Sequence, residues 1–153
     1  VTQSILSLRP HHFSISVPDR EAALAFWSGI FGFSVEKCFE IPPMGAKGAF
    51  LVREGFRLEL WELEGAEPLP EARKTPNSDL RTHGTKHMAF EVDGLQGALE
   101  ELHRRGVKIA GIQRDFSEPM RFEADPGLDD TKAPAVAAFI CDPWGTLVEL
   151  IGA

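Results

Sequence analysis

A chain of 153 residues, 43% hydrophobic and 25% charged, has the composition of an ordinary globular protein, which excludes a disordered or fibrous chain. At this length one domain with a real core is expected, burying roughly 70% of the surface the unfolded chain would expose. The formal charge of -7 and the absence of any Lys/Arg-rich run disfavour nucleic acid and an anionic membrane surface as partners, leaving a small molecule as the expected one.

Residues 12–17 alternate Phe13, Ile15 and Val17 with His12, Ser14 and Ser16, the period-two pattern of a half-buried strand. Asp19 is placed as the N-cap of a helix whose apolar stripe, Ala23, Leu24, Phe26, Trp27, Ile30 and Phe31, ends near Gly32. Strands follow near 34–40, 47–53 and 56–63. The segment Glu64 to Thr85, rich in Pro, charge and small polar residues, reads as a connector. A strand at 86–92 then precedes a helix from Leu95 to Arg105 stopped by Gly106, and further strands lie near 107–113, 135–141 and 146–151. Asp142-Pro-Trp-Gly145 fits a type I turn. Cys38 and Cys141 are too few and too separated for a disulfide framework and read as two buried thiols.

The second half repeats the first. His12-Phe-Ser-Ile-Ser-Val17 matches His87-Met-Ala-Phe-Glu-Val92, and Ala23-Leu24 matches Ala98-Leu99, at an offset of 75 (87 − 12). Gly55-Phe-Arg-Leu-Glu59-Leu60 matches Gly145-Thr-Leu-Val-Glu149-Leu150 at an offset of 90 (149 − 59). The extra 15 residues (90 − 75) are assigned to a long loop between Gln113 and Pro134. The expected architecture is α+β, with tandem βαβββ modules, about 9–63 and 86–152, forming one domain with a cup-shaped mixed sheet and helices on its outer face.

Strand alternation turns His12 and His87 away from the helix side, and likewise Glu59 between Leu58 and Leu60 and Glu149 between Val148 and Leu150. Two imidazoles and two carboxylates brought together this way would surround one divalent cation with balanced charge. Such an N/O set suits Zn, Ni, Co, Mn or Fe(II). Recurrence of His and Glu at matching places in both halves favours ligands over solvated side chains. Ser14, Ser16, Arg57, Trp61, Ala89 and Glu91 should share the same face, with Arg57 available to an anionic substrate, Trp61 as an apolar wall, and Glu91 as a proton carrier or the partner of Arg57. His11 is expected on the helix side or at the frayed strand start.

These stretches resemble the vicinal oxygen chelate superfamily, which includes glyoxalase I, methylmalonyl-CoA epimerase, extradiol dioxygenases, and fosfomycin and bleomycin resistance proteins. The resemblance runs from His12 to Gly152 and is carried by the segments around His12 to Asp19, Leu58 to Leu60, His87 to Asp93 and Asp142 to Leu150. It implies a metal that holds two neighbouring substrate oxygens and stabilises an enolate-like intermediate, with a carboxylate moving the proton. Glyoxalase I is similar at all four ligand positions, and by that resemblance Glu149 doubles as the base and Glu59 shares the proton-carrying role. Ser16 and Leu63 stand where its bacterial members place an Arg and an Asn, which argues against glutathione conjugates. Methylmalonyl-CoA epimerase resembles the second half but usually has Gln at the position of Glu59, and Glu40-Ile-Pro-Pro-Met-Gly45 does not match its base-bearing segment.

The resemblance therefore implies a metal-dependent lyase, isomerase or epimerase that forms a homodimer. Two alternatives remain: an Fe(II)-dependent extradiol-type dioxygenase, against which the absence of any Tyr counts, and a drug-binding resistance protein without catalysis. Val1 to Leu8 lacks a basic region followed by a long apolar stretch, and no window nears the roughly 20 apolar residues of a membrane span, so a cytoplasmic location is expected.

Overall fold

In a computed structural model that describes residues 8–78 and 80–153, the chain forms two units, Val1–Ala66 and Glu67–Ala153, built on the same βαβββ plan. The first contains β1 (Phe13–Ser16), α1 (Arg20–Phe31), β2 (Ser34–Ile41), β3 (Ala46–Arg53) and β4 (Phe56–Leu63). The second contains β5 (Met88–Val92), α2 (Leu95–Arg104), β6 (Ile109–Gln113), β7 (Ala137–Cys141) and β8 (Leu147–Gly152). Each has a four-stranded mixed sheet, ordered β1-β4-β3-β2 and β5-β8-β7-β6. In both, the first and last strands pair in parallel and the other neighbours are antiparallel. The expected α+β class and element order therefore hold, with boundaries moved by two residues or fewer.

Local chemistry explains the helix ends. Asp19 is extended and its side chain accepts the Ala22 amide, satisfying one of the donors left open at a helix start. Gly32 closes α1 in the left-handed conformation, φ 68°, where a side chain would be strained. The turn at 142–145 also forms as expected, with the Gly145 amide donating to the Asp142 carbonyl.

One face of each sheet is covered by its helix. In the first unit Ala23, Trp27, Ala49, Leu51, Leu58 and Leu60 are fully buried, and in the second Leu99, Ile140 and Val148 are. Each large side chain so buried contributes about 1.5–3 kcal/mol, so this apolar layer dominates the stability of both units. In the first unit the alternation that buries these residues presents their neighbours on the opposite, more open face, whereas in the second β7 is buried on both faces.

The long loop folds back on its own sheet. Ile112 and Arg121 exchange both backbone hydrogen bonds, at 2.8 and 2.9 Å, and so cover part of the outer edge of β6. Cys141 is buried, whereas Cys38 is exposed because β2 is the edge strand of the first sheet. No helix among the described residues is long and apolar enough to cross a membrane.

Candidate functional site

On the open face of the first sheet, β1 and β4 run parallel with Ser14 opposite Glu59, so His12, two residues before Ser14, lies on the side of Glu59. His12 Nε2 stands 3.3 Å from Glu59 Oε2. The second sheet repeats the arrangement, with Ala89 opposite Glu149 and His87 Nε2 hydrogen-bonded to Glu149 Oε2 at 2.9 Å. Each sequence-expected histidine thus meets the glutamate of its own unit.

An aromatic ring completes each pair. Phe50 is the cross-strand neighbour of Glu59, and Phe139 that of Glu149. The His12 and Phe50 ring centres lie 5.5 Å apart, and those of His87 and Phe139 lie 4.8 Å apart in an edge-to-face contact. These rings exclude water from one side of each pair. Glu59 is only 9% exposed, an unusual depth for a carboxylate without a fixed cation beside it.

The donor chemistry fits a divalent ion. Two ligands about 2.0–2.2 Å from one ion and adjacent to each other stand roughly 3 Å apart, the spacing of both Nε2–Oε2 pairs. Among the described residues, no group of three or more His, Cys, Asp or Glu side chains stands together to complete a ligand set. His12 also has a partner behind it, since its Nδ1 lies 2.7 Å from His11 Nδ1. One ring donates to the other, which fixes the His12 ring and leaves its Nε2 facing Glu59.

Of the two places expected for His11, the structure shows the second, the unpaired stretch just before β1. Its ring packs edge-on against His12 and within 6.2 Å of Phe50, on the open face. The remaining expected residues divide. Ser14, Ser16, Ala89 and Glu91 are exposed on the first strands of their sheets, and Trp61 is half-buried on β4. Arg57 is given to Glu36 rather than left for an anionic substrate or paired with Glu91. Its Nε and Nη2 each donate at 2.6 Å to the two Glu36 oxygens, and that pairing holds the Glu36 carboxyl below its usual range. The cause is a β-bulge between Val35 and Lys37, which inserts Glu36 as an extra residue on the strand.

Sequence reasoning missed Phe39, Phe50 and Phe139. The signal for Phe50 and Phe139 was available: each lies nine or ten residues before the matched glutamate, on the antiparallel strand next to it. Phe39 had no such signal, because its place depends on Gly48 across the β2–β3 pair.

Residues 11–122 match the glyoxalase/bleomycin resistance protein/dioxygenase superfamily. The chain is 28% identical to the mitochondrial methylmalonyl-CoA epimerase of Homo sapiens over 155 aligned positions, covering 98% of this chain and 77% of that one. Among solved structures it is similar to the trypanothione-dependent glyoxalase I of Leishmania major (TM-score 0.65, 21% identity, 95% of this chain and 87% of that one). A fosfomycin resistance protein of Listeria monocytogenes is also similar (TM-score 0.60, 15% identity, 97% and 95%). The two structural likenesses speak to the fold alone.

Proposed function

Because the chain belongs to the glyoxalase/bleomycin resistance protein/dioxygenase superfamily, we propose that it is a divalent-metal-dependent lyase, isomerase or epimerase acting on a small oxygenated substrate. The observation that carries this reading is the duplicated imidazole–carboxylate pair, His12 with Glu59 and His87 with Glu149, at the spacing of adjacent metal ligands. Each pair would offer such an ion one nitrogen and one carboxylate, a donor set with which Zn, Ni, Co, Mn and Fe(II) are all compatible. Such an ion, when bound, supplies a Lewis acid that withdraws charge from a substrate carbonyl.

The side chains do the rest. A proton on the carbon beside a carbonyl is taken by Glu149 or Glu59, whose carboxylates each face an imidazole. His11 fixes the His12 ring through the Nδ1 contact. Phe50 and Phe139 stand beside the two carboxylates on the neighbouring strands and give each an apolar flank. Ser14 and Ser16 offer hydroxyls on the same exposed strand for substrate oxygens, and Ala89 leaves room at the equivalent place in the second unit. Similarity to the human epimerase supports the epimerase branch, and the proposed assembly is a homodimer in the cytoplasm.

The test is solvent deuterium exchange. Protein reconstituted with each metal in turn should exchange the alpha proton of a carbonyl substrate, and stripping the metal should abolish exchange. Glu149→Gln should lower the rate by about 10²–10⁴-fold with the fold intact, the range expected on loss of a general base. Oxygen consumption with Fe(II) and a catechol would instead assign an oxygenase. Purified protein that binds no metal while both glutamates are intact would leave a binding protein without catalysis.

A further inference from the structure

The open face of the first unit carries three aromatic rings, with Phe39 in contact with each of the other two. Phe39 meets Trp61 at 5.2 Å, nearly perpendicular, and Phe50 at 5.7 Å, and all three rings are half-buried. The platform exists because residue 48 is glycine. A Cβ there would stand 2.2 Å from Phe39 Cζ, so the Phe39 ring lies directly over the backbone of β3, between the rings of its two neighbours. Register then sets the platform beside the chemistry: Gly48 faces Trp61 across β3–β4, and Phe50 faces Glu59 one step along the same face. The corresponding face of the second unit has Phe139 with Cys141, Leu147, Ala110 and Met120, a single ring among smaller groups.

We infer that Phe39, Phe50 and Trp61 form a subsite for a flat aryl group of the substrate, adjoining the carbonyl held near Glu59. The inference rests on the metal-enzyme reading above and names the substrate class for it, a carbonyl compound or other paired-oxygen ligand with an aromatic substituent. Three aromatic side chains that would expose about 150–250 Å² each when free, and are largely covered here, leave on the order of 200 Å² or less open. A stable protein interface needs roughly 800 Å² from each partner, so this patch is too small for one and matches a ring-sized ligand. Edge-to-face and offset-stacked contacts would then orient the ring and aim its side chain at the carboxylate.

Hydroxamates test this directly, because they chelate metals through two neighbouring oxygens. On the metal-reconstituted full chain, benzohydroxamate should bind about 10–100-fold more tightly than acetohydroxamate, the gain expected from burying a phenyl group. Phe39→Leu and Trp61→Leu should each reduce that ratio at least several-fold, the two variants guarding against misfolding of either. Equal affinities in the unaltered protein would overturn the aryl subsite while leaving the metal reading intact. A preference untouched by both variants would place the phenyl group elsewhere and overturn it as well. If neither hydroxamate binds with metal present, the metal reading fails and this inference falls with it. Self-association weakened by Trp61→Leu, with the ligand ratio unchanged, would assign the rings to a second copy and likewise overturn it.

Discussion

The two units share a fold plan but protect their outer edges differently. In the first, β2 is an open edge with Glu36, Lys37 and Glu40 along it and a bulge at its start. In the second, β6 reads Ile-Ala-Gly-Ile-Gln without a charge, and its edge is partly paired with Arg121 from the long loop. Since β6 has a register irregularity of its own, between Ile109 and Gly111, it is charge that discourages another strand from adding to β2; an uncharged edge needs a cover. The 15 extra residues of the second half are thus a structural counterpart to charges that the first half already carries.

Removing the cover should have the largest effect. Arg121→Pro deletes the amide that donates to the Ile112 carbonyl, leaving it unpaired, and should cost about 3 kcal/mol in urea unfolding with increased light scattering. Unchanged stability and scattering would show that β6 needs no cover.

The faces differ as much as the edges, and two glycines measure how. Gly48→Ala drives a methyl into the Phe39 ring and should cost about 2 kcal/mol by overpacking, with a loss of near-ultraviolet circular dichroism from the displaced ring. Gly111→Ala meets chiefly the Met120 thioether, whose Sδ would lie 2.8 Å from the added methyl and which turns aside more easily, so it should cost less. Equal losses would mean that the aromatic platform is no more rigid than its aliphatic counterpart.

Smaller effects of opposite sign come from two carboxylates. Glu62 accepts the Arg20 amide at 2.7 Å and the Lys47 ammonium at 3.0 Å, which together hold it below the ordinary carboxylate range. Its contribution is present above that range and lost as pH falls through the lowered value, so Glu62→Gln should cost about 1 kcal/mol at pH 7 and less in acid. Burial instead pushes the Asp142 carboxyl up, despite hydrogen bonds from Thr146, Trp144 and Gly145. A raised value favours folding when the group is protonated and opposes it as pH rises through that value. Asp142→Asn, which keeps an oxygen for the Trp144 and Thr146 amides, should therefore gain up to about 1 kcal/mol at pH 7, a gain that shrinks towards acid. Urea midpoints at pH 4 and pH 7 separate the two.

The repeated βαβββ plan was readable because it rests on local rules. Asp19 and Gly32 bound α1, and alternation around Phe13 and Leu58 turns His12 and Glu59 to one face. What escaped depends on register between strands distant in sequence. A bulge of one residue delivered Glu36 to Arg57, and the absence of a side chain at Gly48 let Phe39 lie across the sheet. Neither leaves a period in the chain. The Arg121 bridge was hidden in the same way, within a polar stretch that shows no alternation.

In each unit the histidine sits at the start of the opening strand and the glutamate on the strand that closes the sheet beside it, 62 residues later in the second. The pair is thus a clasp between the two ends of a module, brought within reach only after the intervening hairpin and helix have taken their places. Whatever bridges imidazole and carboxylate pulls on a contact between segments far apart in the chain. Ligand occupancy should accordingly slow the opening of the whole sheet rather than stiffen a single loop.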